Sequence, residues 1–288
     1  MELKISEINM NCQAKNRQWE NFIFDYLRDE DIIIFTEIVA KKYKLPLVEQ
    51  LKDFMLYCSE RNLNDKGNQI IIAIKNDKNI RLLEPQLEFS TSLQNVPDFL
   101  QLRVVINDEE ECYIMGVRIL ADDNYDKRLR CFEYWNNHLQ TLQNSNVIVL
   151  GDFNHGRMLD DYTGYAHKNY NYHVIQKELA NNFEILTPAQ KSSYGLHLEY
   201  SPTSEQYRLE YECGNKYRIA DDHLIISKNL RKNVIFTDYD WSFVDKNSEK
   251  YNKPTKYGGY IKQIKQLGVC DIKNGVPDHA ILRARINL

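Results

Sequence analysis

No apolar run in this 288-residue chain approaches the ~20 residues needed to cross a bilayer, so no membrane-spanning helix is expected. The amino-terminal stretch MELKISEINMNC lacks a basic segment followed by a long apolar core, and no secretory signal peptide is expected from it. The six cysteines, Cys12, Cys58, Cys112, Cys131, Cys213 and Cys270, form no CxxC pair, which argues against a zinc site built from them. Most have apolar neighbours, so reduced core thiols and a soluble, cytoplasmic protein are expected. An excess of basic charge is also missing. With 37 Lys and Arg against 41 Asp and Glu, the net charge is −4, which disfavours tight, salt-sensitive DNA binding but leaves room for a local basic strip. Linker composition, repeats and low-complexity tracts are absent as well, and residues 1–288 read as one domain.

What is present centres on Asn146–Asn154, NVIVLGDFN. Val147 to Leu150 read as a short strand buried on both faces, broken by Gly151. Asp152 and Asn154 follow at alternate positions and so face one spot at the strand's carboxyl end, where open α/β sheets usually place their chemistry. A carboxylate beside an amide suits a phosphate ester, one group activating water and the other holding an oxygen. The competing reading is a turn rich in Asp and Asn.

The rest of the chain alternates strands and helices. Strands are expected at Lys4–Met10, Asp31–Ile38, Gln69–Lys75, Ile80–Leu83, Phe99–Ile106, Glu111–Ile119, Tyr207–Glu212, Lys216–Ile219, Asp222–Ser227, Asn233–Asp238 and His279–Leu288. Helical spacing marks Arg17–Arg28, Leu45–Glu60, Tyr125–Leu142 and a short piece near Tyr172–Asn182. Asn107-Asp108 signals a hairpin, and the polar Trp241–Tyr260 reads as a surface excursion. Hairpins among alternating elements make the sheets mixed. Two sheets packed face to face, with helices outside, would use all of these elements.

Acids and amides gather at strand ends: Asn9, Asn11, Glu37, Asp152 and Asn154, with Asp222-His223 and Asp278-His279 where later strands begin. An oxygen-ligated divalent ion needs one or two carboxylates, which Glu37 with Asp278 or Asn11 would supply. His279 offers a nitrogen base beside a carboxylate.

In this order, NxN, TE, GDFN, RIADD and a terminal PDH, the chain resembles the endonuclease/exonuclease/phosphatase superfamily, which includes deoxyribonuclease I and exonuclease III-type enzymes. The motifs run from Asn9 to His279 and so cover nearly the whole chain. The resemblance implies an α/β (α+β) fold, a four-layer αββα sandwich of two mixed sheets with helices outside. It implies that Glu37 is the principal ligand of Mg²⁺ or Mn²⁺, with Asn9, Asn11 and Asp278 nearby. By the same resemblance Asp152 orients or deprotonates the attacking water, Asn154 holds the phosphate, His279 contacts it, and Asp222 pairs with His279. The chain departs from the pattern in two places. Arg118 stands where many members carry His or Tyr, and its fork suits a phosphate oxygen. RIADD has one residue more than RID, so either Asp221 or Asp222 is the functional acid. No segment marks the apolar pocket by which apurinic endonucleases read an abasic sugar.

The activity this implies is divalent-metal-dependent phosphoester hydrolysis, with nucleic acid as the expected substrate and a small inositol phosphate or nucleotide as the alternative. A non-catalytic binding module is disfavoured, because no core motif residue is lost. Lys41, Lys42 and Lys44 are candidates for backbone contacts, and Tyr162, Tyr165, Tyr170 and Tyr172 for base stacking, although packing is the default in a chain with 19 Tyr. His223 is expected to be structural, and His155 a solvated loop residue.

Overall fold

A computed structural model describes residues 1–10, 21–38, 49–59, 69–76, 79–84, 87–88, 97–119, 125–158, 181–186, 188, 196–200, 207–211, 219–243 and 279–288. Its strands in chain order are β1 (Glu2–Asn9), β2 (Ile32–Ile38), β3 (Phe54–Cys58), β4 (Gln69–Lys75), β5 (Ile80–Leu82), β6 (Leu87–Glu88), β7 (Asp98–Ile106) and β8 (Glu110–Arg118). After helix α1 (Tyr125–Gln140) come β9 (Val147–Met158), β10 (Phe183–Leu186), β11 (Leu196–Tyr200), β12 (Tyr207–Tyr211), β13 (Ile219–Ser227), β14 (Val234–Asp240) and β15 (Ile281–Asn287).

Two mixed sheets carry the fold. The first runs β14-β15-β1-β2-β4-β3, and the second runs β10-β13-β9-β8-β7-β5 with β6 against β7. Strands β11 and β12 pair separately as a hairpin. Each large sheet contains one parallel pair, β1 with β2 and β8 with β9, in an otherwise antiparallel arrangement. The carboxyl ends of each parallel pair therefore lie side by side, and these ends carry the polar motifs.

Period-2 alternation decides what each face does. Leu3, Ile5, Ile32 and Ile34 of the first sheet meet Ile114, Ile148, Leu150, Leu224 and Ile226 of the second in one buried core. The approach is close at Gly116, where a Cβ would come within 2.6 Å of Ile70 Cγ2 and 2.8 Å of Ile34 Cγ2. The second sheet's other face, with Met115, Val117, Val147, Val149, Phe153 and Ile225, is covered by Cys131, Phe132, Trp135 and Leu139 of α1. These helical positions recur at the 3.6-residue period, and full burial of each such side chain contributes about 1.5–3 kcal/mol. On the outer face of the first sheet lies a 3₁₀ segment, Asn21–Tyr26, whose Phe24 packs edge-on to Phe35 with ring centroids 6.1 Å apart. The layers are thus helix, sheet, sheet, helix. No helix among the described residues is long and apolar enough to cross a membrane.

Several sequence expectations need correction. The helix expected over Leu45–Glu60 gives way from Phe54 onward to strand β3, which pairs antiparallel to β4. The alternation of buried Phe54 with exposed Met55 fits an edge strand, and the exposed ladder of β4 outweighs a weak helical period. In the expected helix Arg17–Arg28, the described part is 3₁₀, because the Leu27 N–H bonds the Phe24 carbonyl at 3.1 Å in an i to i+3 pattern. Ile219, the last residue of the expected Lys216–Ile219 strand, and Asp222–Ser227 fall in one strand, β13, with residues 216–218 outside the described residues, and β9 runs past Gly151 to Met158. Strands β6, β10 and β11 were not expected. Trp241 and Phe243 are buried and stack at 6.1 Å, so the polar segment begins inside the core. The Asn107-Asp108 hairpin is present, with φ of 54° and 58°, as a type I′ turn requires. Cys112 and Cys131 are buried thiols, and burial pushes the Cys112 thiol up.

Candidate active site

One transverse row of the second sheet assembles the charges. Cross-strand pairing places Asp98 opposite Arg118, Arg118 beside Asp152, and Asp152 opposite Asp222. All four share the face that looks toward the first sheet, from which Glu7 and Asn9 of β1 project.

Asp152 is fully buried and held by three donors. Its Oδ2 accepts from Asn9 Nδ2 at 2.8 Å and from Asn154 Nδ2 at 2.7 Å, and its Oδ1 accepts from the Asn154 backbone N–H at 2.8 Å. Asn154 Nδ2 also donates to the Ile119 carbonyl at 3.0 Å. Both amide hydrogens of Asn154 are thereby engaged, so a phosphate contact through them requires one to be released. Burial pushes the Asp152 carboxyl well above its ordinary range, and Asp222 and Asp221 push the same way, against His279 and Arg118. A carboxylate so poised accepts a proton near neutral pH more readily than an exposed one.

Across the row, His279 Nδ1 lies 2.8 Å from Asp222 Oδ2, both residues being buried. The Tyr239 hydroxyl donates to the Asp222 carbonyl at 2.5 Å and fixes that stretch of β13. The pairing settles the geometry of the RIADD motif. Asp222 faces the site, while Asp221 lies in an irregularity where Ala220 pairs with Arg157 and Asp222 with Asp152. Most of the excess chain there belongs to β9, since Phe153 to Gly156 stand opposite Asp221 alone. His223 turns to the other face, against Phe153 at 5.5 Å between rings.

Glu37 reaches the site by a similar device. Regular alternation after the inward-facing Thr36 would send Glu37 outward, but β2 pairs Phe35 with Ile71 and then Ile38 with Gln69, giving two residues opposite one. In this bulge Glu37 has φ 50°, and in the β9 irregularity Asn154 has φ 46°. Left-handed backbone at a non-glycine residue costs about 1–3 kcal/mol and collects where function requires it. So turned, Glu37 Oε1 accepts from Arg118 Nε at 2.7 Å and lies in an ion-pair contact 2.5 Å from Nη2. Arg118 Nη1 also bonds Asp98 Oδ2 at 3.3 Å. Burial works against the Arg118 charge, but Glu37, Asp152 and Asp98 overcome it and hold the guanidinium's pKa above its ordinary value.

Glu7 and Asp98 are site residues that sequence reasoning missed. Glu7 shares the face of Asn9 two residues on, an alternation visible in ISEIN. Its Oε1 accepts the Thr36 hydroxyl at 2.8 Å, and its Oε2 is buried without a hydrogen bond among the described residues. Burial first, then the charges of Asp222 and Asp152, hold this carboxyl well above its ordinary range, with Thr36 and His279 opposing. The folded state thus keeps a proton that the unfolded chain has lost, and stability falls as pH rises from the ordinary carboxylate range toward the raised value. Glu7→Gln is expected to stabilise the metal-free protein by about 1–3 kcal/mol at neutral pH and to flatten this dependence. Thermal melts between about pH 5 and pH 8 check both effects, and an unchanged slope would refute the assignment.

The donor set suits a hard divalent ion. Ligand atoms of Asp152, Asp222 and His279 lie within 4.8 Å of one another, while Asn9 bonds Asp152 and Glu37 bonds Arg118. Among the described residues, five buried or nearly buried carboxylates, Glu7, Glu37, Asp98, Asp152 and Asp222, face one guanidinium and one histidine. The raised carboxyls of Glu7 and Asp152 are what such a cluster shows without a counter-cation. Asn11 and Asp278, with Lys41, Lys42, Lys44, Tyr162, Tyr165, Tyr170 and Tyr172, lie outside the described residues, as does the His155 side chain.

No family profile matches the sequence, and no curated protein matches it. Solved structures do. A mannosyl-6-phosphatase of Bacteroides thetaiotaomicron is 12% identical with TM-score 0.63, aligned over 99% of this chain and 100% of its own. TDP2 of D. rerio, solved with a single-strand DNA product, is 12% identical with TM-score 0.61, over 100% and 99%. An endonuclease/exonuclease/phosphatase family protein of Bacteroides thetaiotaomicron is 13% identical with TM-score 0.61, over 100% and 99%. Two facing mixed sheets, joined in this order and aligned end to end with these structures, give the chain the deoxyribonuclease I-like fold of the endonuclease/exonuclease/phosphatase proteins.

Proposed function

We propose that this protein is a divalent-metal-dependent phosphoester hydrolase that cleaves phosphodiester bonds in nucleic acid. The observation that carries the reading is the three-donor cradle around Asp152, set beside the Asp222–His279 pair on one row of the sheet. The donors orient the Asp152 carboxylate so that it takes a proton from the attacking water. Asp222 fixes the His279 tautomer through Nδ1, so Nε2 is the nitrogen that meets a phosphate oxygen. Arg118 adds a second positive group for the charge that develops on the phosphoryl oxygens. Glu37 and Asn9 would hold Mg²⁺ or Mn²⁺, with Asn11 and Asp278 as further candidates, and the bound ion supplies Lewis-acid stabilisation of the phosphoryl group.

A small phosphate ester is the second reading, favoured by the net charge of −4. The test is cleavage of a labelled plasmid and a short single-stranded oligonucleotide with Mg²⁺ or Mn²⁺. Metal-dependent cleavage that stops with EDTA is the expected result. Intact nucleic acid with a folded, metal-loaded protein would transfer the reading to small esters, to be found by phosphate-release screening. Activity that survives complete chelation would refute the metal dependence.

A companion experiment separates the buried His279 from the buried His223. His279→Ala is expected to lower turnover about 10²–10⁴-fold, whereas His223→Ala affects stability far more than rate. Equal kinetic losses in the two variants would overturn this division.

A further inference from the structure

The residue that the proposed function makes the principal metal ligand, Glu37, is already occupied by a side chain of the protein. Two Arg118 nitrogens, Nε at 2.7 Å and Nη2 at 2.5 Å, converge on the single oxygen Oε1. This is not the parallel two-oxygen fork usual for Arg and carboxylate. The guanidinium has a second anchor. Nη1 is held by Asp98, which is buried and is the cross-strand partner of Arg118 itself. On its other side Arg118 is paired in register with Asp152, so the edge that carries Nε and Nη2 belongs to the same row as the hydrolytic groups.

We propose that Arg118 is a resident counter-cation that is exchanged during the working cycle: it holds Glu37 until a divalent ion takes that carboxylate, and then, still anchored on Asp98, turns its freed N–H edge to the substrate phosphate. The inference rests on the metal-dependent reading above and assigns it an order of events. The guanidinium holds Oε1 by one N–H bond and one close ion-pair contact, so a divalent ion that takes that oxygen displaces it. The ion therefore meets a competitor on arrival, and its affinity is lowered by the strength of the Arg118–Glu37 contact. Once displaced, the guanidinium has lost its Nε–H acceptor and its ion-pair partner in a buried site, a costly state that a phosphate oxygen relieves. Metal and phosphate thereby favour each other's binding through Arg118, and the coupling is reciprocal. An arginine can do this where a histidine cannot, because its five donors allow one anchor to persist while the other is exchanged.

The test uses the full chain and calorimetry with Mn²⁺, then with inorganic phosphate. Arg118→Gln is expected to bind Mn²⁺ about tenfold more tightly than the unaltered protein, and its Mn²⁺-loaded form to bind phosphate about tenfold more weakly. Because removing a buried cation can unfold the variant, a second measurement is made on the unaltered protein. The ¹⁵N resonance of the Arg118 Nε–H, identified by its loss in Arg118→Lys, is followed by solvent exchange. It should be protected without metal, exposed at saturating Mg²⁺ and protected again when phosphate is added. Saturable Mg²⁺ binding with an unmoved Arg118 Nε–H would overturn the exchange while leaving metal dependence intact. Equal or weaker Mn²⁺ affinity in folded Arg118→Gln would do the same. Failure of the unaltered protein to bind either ion would overturn both readings.

Discussion

The Asp152→Asn variant is expected to lose turnover by about 10²–10⁴-fold while keeping its fold, because the proton acceptor goes and the cradle around it largely stays. The amide oxygen of the substituted side chain can still accept from Asn9 Nδ2 and Asn154 Nδ2, the two donors now on Asp152 Oδ2. Its amide nitrogen then faces the Asn154 backbone N–H, and one bond worth about 1 kcal/mol is lost. Removal of a fully buried charge works in the opposite direction. Turnover with saturating metal, measured beside a thermal melt, separates chemistry from folding. A variant that turns over at the unaltered rate would remove Asp152 from the mechanism. The pH profile gives an independent check: the acid limb of the unaltered protein should be missing in the variant.

Gly151→Ala is expected to damage the fold itself. A Cβ at this position would lie 1.9 Å from the Val117 carbonyl oxygen and 2.9 Å from Val117 Cγ1. The first of these is backbone, so no rotamer change relieves the clash. Val117 and Gly151 are directly paired in the parallel β8–β9 ladder, which would have to open. The next pair along is Arg118 with Asp152, so the same displacement pulls apart the centre of the site. A loss above about 4 kcal/mol, or failure to obtain soluble protein, is the expected outcome. Gly116→Ala is the internal comparison. Its added methyl meets the side chains of Ile70 and Ile34, and overpacking of that kind costs about 1–3 kcal/mol. Urea unfolding of the two variants measures both, and Gly151→Ala with an unchanged midpoint would contradict the close strand approach described here.

Gly151 was legible in the sequence only as a break in an apolar run, and this shows what such a reading reaches. GDFN, the apolar DIIIFTEI and the Asp-His after a proline were legible because each places a fixed residue type at the end of a strongly patterned strand. Their meeting in space follows from sheet order, which residue types do not encode. Asn9, Asp152, Asn154, Asp222 and His279 are brought together, and the position of Asp222 rather than Asp221 emerges only from the register. Glu37 needed more than alternation, since a bulge turns it back to a face that a regular strand would deny it. Glu7 was hidden because one acid in an alternating strand looks like a solvent-facing residue until a second sheet covers it. Arg118 was read as a phosphate contact, but its partners Glu37 and Asp98 are 81 and 20 residues away. Strand β3 was misread because a short apolar period of Leu51, Phe54 and Met55 fits either element, and only the neighbouring β4 decides it.

The place of β15 between β14 and β1 also governs how the protein can be made. Strand β1 waits for a partner that emerges some 280 residues later. Until then β1 carries an open ladder edge, and His279, which lies just before β15, is missing from the site. Synthesis through Asn287 is therefore required before the first sheet can close. A nascent or shortened chain that stops before Ile281 presents an aggregation-prone edge and no complete site. Premature assembly of the complete residue row during translation is thus prevented by topology alone.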